Sequence, residues 1–374
     1  MSSLRRRTRR TALAVAAALL VLAVLGIGLA WLMRPFEPVR VEVVQDGLEH
    51  PWDIAFADDG RMLVTERIGR VLVFANGGSN AELLSTTTIP DVRAELESGL
   101  MGIAIQDDAV FICASRDPGD KWRVELLRSR LAEDGSLAPF EVVPIGEITG
   151  APRHQGCAVE VDATEHLWLS VGDANLPAGE NRAQDPDSLN GKVLRLNLDG
   201  SVPADNPFES PVYSLGHRNP QGLAFGPDGT VWEVEHGTDE NDEMNRLRSG
   251  GNYDYPCFTG ADAPGPIPGG CGAASEYLPP GWASGTPTLA TSAATFLSGA
   301  GWRDWEGQLL VSTLKEEDLR RFSVGSDGSA TLEETLLDGR FGRLRAVVIG
   351  PDGALYASTS NGTDDRVLRV IRAE

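Results

Sequence analysis

Along most of this chain, apolar and polar residues alternate in short runs, and each run follows a turn signal. The unit recurs six times. Asp58-Asp59-Gly60 precedes Arg61-Met-Leu-Val-Thr65, Asp107-Asp108 precedes Ala109-Val-Phe-Ile-Cys113, and Asp162-Ala-Thr precedes Glu165-His-Leu-Trp-Leu-Ser170. Pro227-Asp228-Gly229 precedes Thr230-Val-Trp-Glu-Val234, Trp305-Glu-Gly307 precedes Gln308-Leu-Leu-Val-Ser312, and Pro351-Asp352-Gly353 precedes Ala354-Leu-Tyr-Ala-Ser358. Period-two alternation after Asp-Gly or Pro-Asp-Gly is the pattern of a strand entered from a tight turn. More β-prone residues follow each unit, such as Arg70-Val-Leu-Val-Phe74 and Lys192-Val-Leu-Arg-Leu196. Together these are the pieces of a four-stranded antiparallel blade, and blades stacked radially leave only short edges. The expected fold is all-β, a six-bladed β-propeller over residues 39–374. Val39 to Val44 is expected to supply the closing strand of the last blade. The longest gap lies between the fourth and fifth units, where residues 256–286 are rich in Pro, Gly and Ala and read as an insertion over one face.

The pattern breaks at the N-terminus. Thr11 to Met33 is an uncharged run of 23, preceded by Arg5, Arg6, Arg7, Arg9 and Arg10. Such a run is long enough to cross a bilayer as one N-terminal transmembrane helix, and its basic flank stays in the cytoplasm. The expected order is a basic cytoplasmic flank (1–10), an anchor (11–33), a linker (34–38) and an extracytoplasmic propeller held to the cell membrane. A cleaved signal peptide, followed by secretion, is the competing reading. The run ends Leu-Ala-Trp-Leu-Met-Arg, which lacks a clear small-x-small cleavage site.

Charge and cysteine content narrow the function classes. Residues 1–34 hold six of the 33 basic side chains and no acid, so the remainder carries 27 basic against 54 acidic groups. Nucleic acid is a poor partner for that surface, because phosphate binding needs clustered Lys and Arg. Four cysteines in an exported chain suit disulfides. Cys257 and Cys271 bracket a Pro- and Gly-rich loop and form the better supported pair; Cys113 and Cys157 form the other, with less support. No pair has the Cys-x-x-Cys spacing of zinc or thiol redox sites.

Propellers gather functional side chains on loops at one end of the channel, so polar residues at equivalent blade positions are the candidates. His154 lies just before the third unit and Asp173 ends that unit's strand, which gives a histidine and a carboxylate able to orient it as a general base. A solvated loop histidine is the plainer alternative. Arg218 and Asn219 lie between Gly216 and Pro220, a rigid setting for a cation and an amide; bidentate carboxylate binding, oxyanion stabilisation and an inter-blade salt bridge all remain open. Lys315, Arg343 and Arg345 add cations on the later blades of an acidic chain. Asp239, Glu240, Asp242 and Glu243 offer the hard oxygens that calcium prefers, without the register of an EF-hand. There is no Gly-x-Gly-x-x-Gly after a strand, no phosphate loop and no Gly-x-Ser-x-Gly, so nicotinamide, nucleotide and serine-hydrolase chemistry lack support.

Longer motifs carry a resemblance. Asn190-Gly-Lys-Val-Leu-Arg-Leu-Asn-Leu-Asp-Gly200, Gly216-His-Arg-Asn-Pro-Gln-Gly-Leu-Ala-Phe225, Asp242-Glu-Met-Asn245 and Gly251-Asn-Tyr253 resemble the soluble glucose and aldose sugar dehydrogenases that depend on pyrroloquinoline quinone (PQQ). The likeness runs from Leu48 to the last strand. It implies a six-bladed propeller holding the quinone over its channel and oxidising an aldose at the anomeric carbon to a lactone, with electrons passing to a carrier not identified by the sequence. It further implies His154 as base with Asp173 its partner, and Arg218 and Asn219 beside the reacting quinone oxygen. Thr288, Lys315, Arg343 and Arg345 match residues that hold the quinone carboxylates. The carbonyls of Gly237 and Thr238 match the ligands of the calcium that polarises it, while Glu243 and the Tyr253 carbonyl match a second calcium site. Four differences stand out: Glu97 replaces a glutamine that contacts the cofactor, His236-Gly237-Thr238 lacks the usual proline, Asp254-Tyr255-Pro256 replaces Gly-Trp-Pro, and Arg343-Leu344-Arg345-Ala346 keeps both cations but loses the acid that commonly follows. A non-catalytic propeller that binds calcium or a partner through the same face is the alternative from another class.

Overall fold

The alternating runs form the strands of six four-stranded antiparallel sheets in a computed structural model, which describes residues 38–373 apart from 120, 178, 258, 259 and 261–276. Strand β1 (Val39–Glu49) belongs to the last sheet. Blade one comprises β2 (Pro51–Phe56), β3 (Met62–Glu66), β4 (Arg70–Phe74) and β5 (Leu83–Thr88). Blade two comprises β6 (Leu100–Gln106), β7 (Ala109–Arg116), β8 (Arg123–Arg130) and β9 (Glu141–Val142). Blade three comprises β10 (Gly156–Val161), β11 (His166–Val171), β12 (Lys192–Asn197) and β13 (Val212–Leu215). Blade four comprises β14 (Pro220–Phe225), β15 (Val231–Glu235), β16 (Glu243–Leu247) and β17 (Trp282–Ala283). Blade five comprises β18 (Thr291–Phe296), β19 (Leu309–Thr313), β20 (Leu319–Val324) and β21 (Ala330–Leu336). Blade six comprises β22 (Leu344–Ile349), β23 (Leu355–Thr359) and β24 (Thr363–Arg372), with β1 as its outermost strand.

The first strands of successive blades, β2, β6, β10, β14, β18 and β22, touch one another in turn, and β22 returns to β2. The ring is closed by β1, which pairs antiparallel with β24 from Val39 opposite Arg372 to Glu49 opposite Thr363. Both faces of each blade are therefore covered, which is why the second strands β3, β11, β15 and β19 are almost wholly buried on both sides, polar members such as Thr65, Ser170, Glu233 and Ser312 included. Six apolar clusters fill the six blade interfaces. Between blades two and three, for example, Met101, Phe111, Leu126, Leu169 and Leu194 are buried together; each such side chain contributes about 1.5–3 kcal/mol.

Antiparallel order fixes which loops meet. The Asp-Gly turns join first to second strands at one end, with Gly60, Gly229 and Gly353 in the left-handed region at φ 88°, 79° and 75°. The segments that enter each first strand and leave each second strand gather at the other end.

Two sequence expectations change in detail. Cys113 and Cys157, the pair with less support, form a disulfide with Cα atoms 5.6 Å apart, tying β7 of blade two to β10 of blade three. Cys257 is disulfide-bonded as well; Cys271, its expected partner, lies outside the described residues. The stretch 256–286 is not all insertion, since Trp282–Ala283 pairs with β16 as the outer strand of blade four. The expected anchor at 11–33 and its flanks up to residue 37 lie outside the described residues. No helix among the described residues is long and apolar enough to cross a membrane.

Candidate functional site

Every candidate residue falls on the loop-rich end just described. Glu97, His154, Arg218, Asn219, Thr288 and Arg343 stand just before β6, β10, β14, β18 and β22, and Arg345 is the second residue of β22. Asp173, Gly237, Thr238 and Lys315 leave β11, β15 and β19. The repeat itself thus brings together residues far apart in the chain.

His154 and Asp173 meet. His154 Nδ1 lies 2.8 Å from Asp173 Oδ1, and both side chains are buried. The close approach depends on Gly172, where a Cβ would fall 2.1 Å from the His154 carbonyl oxygen. Asp173 also accepts from Asn175 N at Oδ1 and from Asn181 Nδ2 at Oδ2, each at 2.8 Å. With Asp173 as the acceptor, Nδ1 is the donor of this bond and Nε2 is the ring's acceptor nitrogen.

The cations converge as well. Arg345 is buried with its guanidinium 3.5 Å from the Trp52 ring centroid, bonded to Gln221 Oε1 at 3.3 Å. Burial, and then the neighbouring charges of Arg343 and Arg67, pull its pKa down to about 9. A guanidinium keeps its proton in practice; the depression is first the cost of burying a charge, to which Arg343 and Arg67 add and which Glu97 partly offsets. Lys315 Nζ lies 3.2 Å from Thr288 Oγ1, and Arg343 Nη1 donates to the Leu314 carbonyl at 3.3 Å, which links the remaining socket residues. The buried Nε atoms of Arg67, Arg218 and Arg345 have no partner among the described residues.

Arg218 and Asn219 are held by Glu235, whose Oε2 accepts both backbone N–H groups at 2.6 and 3.3 Å. Arg218 Nη1 donates to the His236 carbonyl at 3.1 Å. Asn219 Oδ1 accepts from Gly156 N at 3.1 Å and ties blade four to the strand that follows His154. Burial lowers the His236 pKa, and its Nε2 is without a partner among the described residues.

The acidic run 239–243 does not form one ligand set. Asp242 Oδ1 accepts from Gly237 N at 2.8 Å, and Oδ2 accepts from Leu289 N and Ala290 N at 2.6 Å each, so this carboxylate is consumed in pinning the loop. Glu240 accepts from Thr286 Oγ1 at 2.7 Å. The carbonyls of Gly237 and Thr238 accept no hydrogen bond among the described residues. Gly237 is confined by geometry, since a Cβ there would lie 2.0 Å from the Glu240 carbonyl oxygen. Two open carbonyls on a pinned turn suit a hard cation, and the absent proline is replaced in that role by Asp242.

Around the second expected calcium site, Glu243 is buried and its pKa is pushed up to about 8, first by burial and then by Glu235. Asp254 beside it is pushed up to about 7 by burial, and its buried Oδ1 has no partner among the described residues. Tyr253 stacks on His217 with ring centroids 5.0 Å apart, and its carbonyl accepts from Tyr255 N at 3.0 Å. Two crowded carboxylates with an orphaned oxygen fit a cation that would relieve them.

The sequence that builds this geometry matches the glucose/sorbosone dehydrogenase family model over residues 48–369, from the end of β1 into β24. The chain is a member of the glucose/sorbosone dehydrogenase family. It is 32% identical over 348 residues to the aldose sugar dehydrogenase YliI of Escherichia coli, covering 87% of this chain and 91% of that protein. The apo crystal structure of the soluble Escherichia coli aldose sugar dehydrogenase superposes with a TM-score of 0.79 at 30% identity, over 90% of this chain and all of that one. The PQQ-bound aldose sugar dehydrogenase of Streptomyces coelicolor superposes with a TM-score of 0.73 at 27% identity, over 90% and 99% of the two chains.

Four site residues escaped the sequence reading of this family member. Arg67 is the first residue after β3, one position before those that Asp173 and Lys315 hold after β11 and β19, so the loops leaving the second strands were the signal that would have found it. Tyr255 lies beside both Asp173 and Arg218, and burial, the first cause, with the Asp173 charge pushes its pKa up. Glu235 and Asp254 were passed over because buried carboxylates leave no mark in composition.

Proposed function

We propose that this protein is a quinoprotein dehydrogenase that oxidises aldose sugars at the anomeric carbon to lactones. The observation that carries the proposal is the grouping, at one end of the ring, of an oriented histidine with cations from four blades that lack ion-pair partners among the described residues. A rigid socket of Arg67, Arg218, Lys315, Arg343 and Arg345 is what a compact polycarboxylate would require. PQQ, when bound, supplies the two-electron acceptor for the anomeric hydride, and calcium supplies Lewis-acid polarisation.

This chain's own residues do the rest. The anomeric hydroxyl proton passes to His154 Nε2, because Asp173 keeps Nδ1 protonated and steadies the imidazolium. Arg218, anchored through Glu235, presents a fixed cation to the developing negative charge. Thr288, Lys315, Arg343 and Arg345 would hold the cofactor's carboxylates, the carbonyls of Gly237 and Thr238 would hold one calcium, and Glu243 with the Tyr253 carbonyl and Asp254 would hold a second.

Purified protein loaded with PQQ and calcium is expected to reduce a redox dye with a panel of aldoses, and His154→Ala to lower kcat by roughly 10²–10⁴-fold. Calcium binding without dye reduction by any aldose would favour the non-catalytic propeller instead, and full turnover by His154→Ala would remove the base. We place the propeller outside the cell membrane on the anchor at 11–33, supported by the basic flank and uncharged run. Release of the protein from washed membranes by salt alone would overturn that placement.

A further inference from the structure

Glu97 stands in the segment that enters β6, yet its carboxylate reaches the neighbouring segment that enters β10. Oε2 accepts from the backbone N–H of His154 at 3.1 Å, and Oε1 accepts from Arg153 Nη1 at 2.9 Å. The link runs both ways, since Glu97 N donates to the Pro152 carbonyl at 3.0 Å. His154 needs such support. Its φ is 55°, in the left-handed region that non-glycine residues seldom adopt, and it precedes the first residue of β10, so its N–H has no place in a strand ladder. The ring is fixed by Asp173, the His154 carbonyl by Ala174 N at 3.1 Å, and the remaining backbone donor by Glu97.

The resemblance puts a cofactor-contacting glutamine at this position. A glutamine has one acceptor oxygen where a carboxylate has two, and both of Glu97's are engaged, one on the base and one on Arg153. Burial alone would raise the Glu97 pKa, but the His154 N–H, the His236 and His154 rings and Arg153 outweigh it and leave it below the ordinary glutamate range. An acid beside an anionic ligand would be unfavourable by itself, and Arg153 offsets the Glu97 charge from the neighbouring segment with Nη1 2.9 Å from Oε1.

We propose that Glu97 is a positioning residue for the base: it holds the His154 backbone in its left-handed conformation across the interface of blades two and three, and so sets where Nε2 stands. The kinetic consequence rests on the dehydrogenase reading; the backbone restraint does not. Two measurements on the full chain separate them. In the protein without quinone, hydrogen exchange at the His154 amide is expected to speed up about tenfold or more in Glu97→Ala and to remain near wild type in Glu97→Gln, which keeps one acceptor. In the PQQ- and calcium-loaded protein, Glu97→Ala is expected to lower kcat about tenfold or more with the sugar KM little changed, and Glu97→Gln to stay within about threefold. Glu97→Asp, one methylene short, decides the matter if Glu97→Ala does not fold, and is expected to behave like it. Wild-type amide protection in Glu97→Ala, or in Glu97→Asp where that variant decides, would overturn the proposal, as would equal losses in Glu97→Gln and Glu97→Ala, or a change confined to PQQ affinity. If His154→Ala turns over normally while the amide result holds, the dehydrogenase reading fails and the backbone restraint stands.

Discussion

At the scale of single residues, the pairing of His154 with Asp173 was legible because its members sit at equivalent ends of adjacent strands in one unit. Spacing alone left His154 and Asp173 open to a plainer reading; the 2.8 Å contact, and the glycine that allows it, give the pair its geometry. Asp173→Asn should lower kcat at least roughly 100-fold while leaving PQQ affinity nearly unchanged, because an amide facing Nδ1 favours the wrong tautomer. Steady-state kinetics beside a PQQ titration checks this. What stayed hidden are groups whose importance depends on burial. Asp254 and Glu235 look like any surface acid in the sequence, and Tyr255 acquires its place beside Asp173 and Arg218 only when a loop from blade four folds over.

At the scale of elements, turn chemistry and alternation located the repeated hairpins, and β1 closes the last blade as expected. Short strands were harder to see. Trp282–Ala283 has two residues of strand in a Pro- and Gly-rich stretch, so its membership of blade four comes from tertiary pairing with β16 rather than from local pattern. Relative strand heights were equally beyond reach, which is why Cys113 and Cys157 ranked second in the sequence and yet pair. Their bond closes a loop across a sequence separation of 44. On the chain-entropy account, the double variant Cys113→Ser, Cys157→Ser should lose about 4 kcal/mol. Urea titrations of the two proteins would measure it, and the loss should be felt beside the base, since Cys157 lies three residues beyond His154.

At the scale of the whole molecule, the channel holds acids as well as the buried Arg345. Asp53 and Glu160 line the same cavity as Arg345 and Gln221. Burial pushes the Asp53 pKa up to about 7 although Ile103 N and Ile54 N both donate to it, and Glu160 is raised by burial and then by the Asp53 charge. The folded protein therefore retains a proton at Asp53 that the unfolded chain releases near pH 4. Stability from this group is present below about pH 4 and is lost as pH rises toward 7, at no more than about 1.4 kcal/mol per pH unit. Unfolding free energies measured from pH 4 to 7 should fall more steeply in the wild type than in Asp53→Asn.

Joining β1 to β24 has a consequence for biogenesis. The earliest strand to leave the ribosome finds its neighbour only when the final one arrives, so the circle cannot shut while any blade is still being made. Until then a long apolar rim stays open to the wrong partners. A chain without β1 would leave β24 as an unpaired edge, so closure of the ring rests on a strand that carries none of the candidate site residues.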